Sequence, residues 1–135
     1  MHRFTYQLPL RWADADAYGH VNNALFLQYL EEARTRMFQD MLPMDEAGRR
    51  QHAFVVGRST VDYRAPLLYR EEPVDVHVWV TRCRAATLEL AYEIRDPDRL
   101  YAEATTIMAA YNLVTACPRR LSETEKAFLA RYTEA

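Results

Sequence analysis

No stretch of this 135-residue chain approaches the ~20 consecutive apolar residues of a membrane-spanning helix. The opening residues, Met1-His2-Arg3-Phe4-Thr5-Tyr6, hold no apolar signal core, so the expected location is the cytoplasm and no membrane partner is expected. Neither charge dominates: the net charge of −2 and a pI near 6.1 leave no electrostatic footprint for nucleic acid. Only two cysteines are present, Cys83 and Cys117, far apart and outside any C-x-x-C pattern. They read as buried or free thiols rather than a disulfide or metal site. His2, His20, His52 and His77 are scattered without metal-ligand spacing, so neither a metal nor another cofactor is expected. Glycine is scarce, with three in the chain, and one spent inside a regular element needs a reason. Repeats, low-complexity segments and linkers are missing too, which leaves residues 1–135 as a single domain.

What is present is an ordinary globular composition, 50% hydrophobic and 27% charged. A chain of this length can bury roughly two thirds of its unfolded surface. Its longest periodic signal lies in residues 23–41. Leu25, Phe26, Tyr29, Leu30, Ala33, Met37, Phe38 and Met41 recur at spacings of three and four, marking one apolar helix face. Pro43 ends that pattern, and residues 43–52 read as a polar surface loop.

Strands occupy most of the remainder. Residues 4–12 alternate loosely, with Pro9 implying an edge position or an early break. Residues 54–63 carry Gly57 at mid-strand, where a bulge or close backbone approach is expected. Val74, Val76, Val78 and Val80 alternate with Asp75, His77, Trp79 and Thr81, the cleanest strand pattern in the chain. Leu88, Leu90, Tyr92 and Ile94 repeat it. After the turn at Asp96-Pro97-Asp98, residues 100–114 form a last strand whose small apolar residues predict cover on both faces. Residues 122–132 read as a closing helix, with Ser122 and Glu125 forming a capping box. One long helix followed by antiparallel strands predicts an α+β domain in which the sheet wraps the helix.

The chemistry concentrates just ahead of the long helix, in Asp14-Ala15-Asp16-Ala17-Tyr18-Gly19-His20-Val21-Asn22-Asn23. Asn22 and Asn23 sit where side-chain oxygens cap a helix. First-turn N–H groups lack intrahelical partners and carry the positive end of the macrodipole, so they can polarise a carbonyl and stabilise its oxyanion. A carboxylate one short turn upstream can attack that carbonyl or deprotonate water. The plainer reading of the same spacing makes Asp14 and Asp16 turn and cap residues only. Gly19 is read as a positive-φ position or a point of close substrate approach. His20 can bond a carboxylate or carbonyl, or only satisfy local backbone.

The run Asp16-Ala17-Tyr18-Gly19-His20-Val21-Asn22-Asn23, then Leu27-x-Tyr29-x-Glu31-x-Ala33-Arg34 and Val61-Asp62-Tyr63-Arg64-Ala65-Pro66-Leu67, resembles the hotdog-fold acyl-CoA thioesterases of the hydroxybenzoyl-CoA thioesterase type. The resemblance covers most of the chain. It implies a hotdog fold, hydrolysis of an acyl-CoA thioester, and a homodimer or homotetramer with active sites between subunits. It places Asp16 on the catalytic carboxylate and the Asn23 N–H on the carbonyl-polarising donor; beside them His20 is a further catalytic candidate, and Tyr18, Gly19 and Asn22 are substrate-binding candidates. His20-Val21-Asn22-Asn23 also resembles plant thioesterases acting on acyl carrier protein, which place an Asn where this chain has Tyr18. An acyl carrier protein thioesterase and a non-catalytic acyl-binding protein are therefore the alternatives. A hotdog hydratase would carry a Gly-Asp-x-Asn-Pro type motif, and none occurs.

Coenzyme A carries phosphates, which suit arginine forks. Arg58 and Arg64 lead the candidates, with Arg82, Arg84, Arg119 and Arg120 behind them. Asp14 reads as structural. Glu31, Glu32, Arg34 and Arg36 read as a solvated face or subunit contact, and an exposed Trp79 reads as interface.

Overall fold

The computed structural model describes residues 2–41 and 45–133. In chain order the elements are β1 (Phe4–Leu8), α1 (Asn23–Gln39), α2 (Glu46–Gln51), β2 (Ala53–Tyr63), β3 (Val74–Cys83), β4 (Thr87–Asp96), β5 (Arg99–Asn112), β6 (Cys117–Pro118) and α3 (Glu123–Ala130). They form one antiparallel sheet in the order β1-β3-β4-β5-β2, with β6 short and paired to β5. This is the α+β architecture that the pattern predicts.

Period-two alternation sorts each strand into a helix-facing side and an outer side. Val74, Val76, Val78 and Val80 of β3 are fully buried, as are Leu88, Leu90, Tyr92 and Ile94 of β4 to within 1%. Against them lie Phe26, Tyr29, Leu30, Ala33 and Met37 of α1. Burying one such side chain stabilises by about 1.5–3 kcal/mol relative to leaving it exposed. β1 is an edge strand and stops before Pro9, whose missing N–H suits that place. At Gly57 the register between β2 and β5 shifts, so the expected bulge is present. α3 carries the expected capping box: Glu125 N–H donates to Ser122 Oγ, and Ser122 N–H donates to Glu125 Oε1.

Four expectations need correction. α1 ends at Gln39, two residues early, and Pro43 lies outside the described residues. The polar segment after it contains α2, because Asp45 caps Gly48 N–H at 2.8 Å and Arg49 and Arg50 sit at the negative end of the dipole. Trp79 is only 8% exposed, since the Arg3 guanidinium lies 3.6 Å above its ring and bonds Glu93 beside it. Within the single chain the middle of β5 is covered on one face only: Ala104, Thr106, Met108 and Ala110 are buried, whereas Thr105 and Ile107 between them are exposed.

Candidate active site

Residues 15–22 leave a short bridge between Ala15 and Val21 and enter α1 through a tight turn. Asp16 N–H donates to the His20 carbonyl at 2.7 Å, and Gly19 N–H donates back to the Asp16 carbonyl at 3.0 Å. The Asp16 side chain reinforces the turn: its Oδ1 accepts from Tyr18 N–H at 2.9 Å and His20 N–H at 3.2 Å. Gly19 has φ +78°, and a Cβ built on it meets nothing within 4 Å. Backbone conformation alone therefore demands glycine here. With Oδ1 held by two N–H groups, Oδ2 of this exposed carboxylate has no partner among the described residues. Asp16 is thus both a turn residue and a free carboxylate oxygen held at a fixed place.

The helix start is resolved donor by donor. The Asn22 side chain accepts from Ala24 N–H at 3.0 Å, and the Asn22 carbonyl accepts from Leu25 N–H at 2.9 Å. Asn23 is the first helical residue, and its N–H has no partner among the described residues. Of the two asparagines only Asn22 caps. At the Asn23 carbonyl the Tyr63 hydroxyl donates at 2.9 Å, tying the end of β2 to the helix entry.

Two further contacts hold the turn. Val21 N–H donates to the Leu67 carbonyl at 2.7 Å, and Tyr69 N–H donates to the Gly19 carbonyl at 3.3 Å, with His20 opposite Leu68. On the other side Asn22 N–H donates to the Asp14 carbonyl at 3.1 Å. Asp14 is structural, as read: it is 4% exposed, with Oδ2 accepting from Tyr29 and Oδ1 from Arg11. The half-buried His20 ring bonds neither a carboxylate nor backbone among the described residues, and Tyr18 stands exposed.

The arginine candidates separate. Arg64 directs Nε and Nη2 at Glu103 Oε2, at 3.2 and 2.8 Å. Arg119 is spent on Glu125 and on the Ala53, Tyr111 and Arg120 carbonyls. Burial raises the Glu125 pKa, but the Arg119 fork and the Ser122 cap outweigh it and hold the carboxyl below its ordinary value. Arg58, on the exposed part of β2, has no partner among the described residues. Arg34 does not belong to a solvated face: it is 8% exposed, 3.6 Å from Glu31, and lowers the burial-raised pKa of the Tyr92 hydroxyl, to which Thr106 donates.

A cavity of about 660 Å³ lies between the C-terminal half of α1 and the start of β2, walled by Phe38, Met41, Phe54 and Met108. That cavity is not lined by Asp16, Tyr18, His20 or Asn23; in the single chain Asp16, Tyr18 and Asn23 are exposed and His20 is half-buried. Among the described residues no three His, Cys, Asp or Glu side chains converge as a metal site, and no helix is long and apolar enough to cross a membrane. Cys83 and Cys117 are free and exposed.

A family model described as the thioesterase-like superfamily matches residues 10–132, and the chain belongs to that family. A thioesterase from Thermus thermophilus, solved with coenzyme A and Zn, is 30% identical over 93% of this chain and 90% of its own, with a TM-score of 0.79. SAV2348 from Staphylococcus aureus, solved in complex with CoA, shares the fold at TM-score 0.86, with 16% identity over 97% of this chain and 84% of its own. The curled sheet around α1 is the hotdog fold of such thioesterases. The long-chain acyl-CoA thioesterase FadM of Escherichia coli (strain K12) is 37% identical over 60 residues, 44% of this chain. That match spans 46%, about half, of the FadM length.

Proposed function

We propose that this chain hydrolyses an acyl-CoA thioester to the free carboxylic acid and coenzyme A, with Asp16 as the reacting carboxylate and the Asn23 N–H as the donor to the thioester oxygen. One observation carries the reading. In a thioesterase-family chain, the N–H left over at the start of α1 and the free Asp16 Oδ2 flank the same tight turn. The donor, at the positive end of a 17-residue helix, polarises the carbonyl and stabilises the oxyanion as it forms. The carboxylate adds to the carbonyl carbon or takes a proton from the water that adds. Collapse then breaks the C–S bond and expels the coenzyme A thiolate, which is protonated from solvent. Where Asp16 adds, water then opens the mixed anhydride left on it to the free acid and the restored carboxylate, and where water adds, the free acid forms directly. His20 and Tyr18 have side chains available to substrate beside the turn, Gly19 lets the backbone adopt it, and Asn22 shapes it by capping. Arg58, which has no partner among the described residues, is taken ahead of Arg64, which is engaged by Glu103, as the arginine that meets a phosphate.

The working form is a homo-oligomer in which a second subunit covers the open surface around Asp16. Trp12, Tyr18 and Leu68 there are 78%, 84% and 56% exposed, an apolar rim suited to burial. Two exposed free thiols support a reducing, cytoplasmic setting. The test is thiol release across short, long and aromatic acyl-CoAs, run beside an acyl carrier protein panel and with Asp16→Asn as control. Release from acyl-CoA that is lost in the variant supports the proposal. Release from acyl carrier protein alone moves the substrate, and no release from any thioester overturns hydrolysis. Sedimentation showing a fully active monomer at micromolar concentration contradicts the oligomer.

A further inference from the structure

The segment joining β2 to β3, residues 64–73, has little apolar anchorage. Leu67 is 1% exposed, but its neighbours Leu68 and Tyr69 are 56% and 36% exposed. Hydrogen bonds hold it instead, and they converge on one corner of the sheet. At its start, Arg64 N–H and Ala65 N–H both donate to the Tyr101 carbonyl, at 2.8 and 3.2 Å. At its end, Arg70 reaches forward to the Glu72 and Pro73 carbonyls and presents Nη1 and Nη2 to the two oxygens of Asp96, each at 2.6 Å. The Tyr101 hydroxyl closes the group by donating to Asp96 Oδ2 at 2.6 Å. Between these ends, Leu67 and Tyr69 make the two bonds that hold Val21 and Gly19.

We propose that Asp96, with Arg70 and Tyr101, is a positioning group for the active site: the Asp96–Arg70 pair fixes the end, and the Tyr101 carbonyl the start, of the strap whose middle sets the place of the catalytic turn. This rests on the reading of Asp16 and Asn23 given above. The strap touches Gly19 and Val21, which bracket the His20 carbonyl that accepts from Asp16 N–H. Val21 leads directly into the cap at Asn22. Releasing the clasp lets the strap, and with it the turn, shift relative to the Asn23 donor. A displacement near 1 Å from a remote change can cost about 10²-fold in rate, because reacting groups tolerate little misalignment.

Asp96→Asn and Arg70→Met open the clasp, and Tyr101→Phe removes one bond as a milder variant. Glu93→Gln, which breaks the Arg3 ion pair on the same sheet, controls for general weakening. With the best acyl-CoA substrate, Asp96→Asn and Arg70→Met should lower kcat by roughly 10- to 100-fold with KM little changed, and Arg70→Lys should recover part of it. Amide hydrogen exchange at Val21 and Tyr69 should rise at least about 10-fold while Val78 and Leu90 stay protected, since only the strap is released. Unchanged exchange at Val21 and Tyr69 overturns the proposal. So does faster exchange with kcat intact, or an equal loss of kcat in Glu93→Gln. The exchange measurement needs no turnover, so it decides whether the clasp holds the turn even if Asp16→Asn proves active and the catalytic reading fails.

Discussion

The Tyr29 hydroxyl donates a 2.7 Å hydrogen bond to Asp14 Oδ2 in the buried space between α1 and the entry loop. Because the Asp14 carbonyl also takes Asn22 N–H, this bond joins the apolar face of the helix to its own starting point. Tyr29→Phe leaves a buried carboxylate oxygen without its donor and should cost about 1–3 kcal/mol in urea unfolding, with kcat almost unaffected. Burial first, and Asp14 second, push the Tyr29 pKa well above its ordinary value. The proton is therefore held more tightly in the folded chain. The associated stability is complete below pH ~10 and declines as pH rises beyond it, a decline that Tyr29→Phe should remove.

Asn23 offers a separation of backbone from side chain. Its side chain does not cap α1, so Asn23→Ala should keep most of the rate and cost well under the ~1 kcal/mol of a lost cap. Asn23→Pro keeps a residue suited to the first helical position but deletes the N–H. Turnover should fall roughly 10²–10³-fold, the usual effect of removing an oxyanion donor. Equal kcat losses in the two variants would assign the effect to the side chain instead.

Asp16→Asn should lower kcat by at least about 10²-fold while sparing acyl-CoA binding. The variant keeps an oxygen for the Tyr18 and His20 N–H groups, so the turn and the melting temperature should survive. Asp14→Asn should affect stability far more than turnover. Single turnover in ¹⁸O-labelled water separates the two roles of Asp16. A nucleophile delivers unlabelled enzyme oxygen to the first product acid, and a general base gives labelled acid from the start. Near-full turnover in Asp16→Asn would remove Asp16 from the mechanism.

At the clasp, the Arg70 fork outweighs burial and, with Tyr101, holds the Asp96 pKa down to about 2. A depressed carboxylate pKa contributes stability that is present above the unfolded value near 3.8 and is lost as pH falls toward about 2. Between pH 4 and pH 2 the unaltered chain should therefore lose stability more steeply than Asp96→Asn. Urea midpoints across that interval measure the difference, and parallel curves would contradict the assigned cause.

Features whose cause lies within a few residues were legible in the sequence. The β3 valines, the Ser122–Glu125 capping box, the Gly57 bulge and the positive φ at Gly19 each follow from local periodicity or backbone freedom. The turn at Asp16 and Gly19 and the cap at Asn22 belong to the same class, because a tight turn entering a helix is specified by its own residues, whereas the cap expected at Asn23 does not form. Pairings chosen across the fold were not legible. Arg3 lies on Trp79 because β1 is hydrogen-bonded to β3, and Arg34 is buried because α1 presents it to Tyr92.

Residue order alone specified one long amphipathic helix, the strands that wrap it, and a carboxylate poised just before the helix start. Tertiary packing settled which arginines were already spent. It also brought Arg70 to Asp96, 26 residues away, and so placed the Leu67 carbonyl and the Tyr69 N–H against the turn. The physical reason is range. Capping, turn chemistry and side-chain alternation act over a few neighbouring residues, whereas partner choice for a charged or hydrogen-bonding group depends on which strands become neighbours.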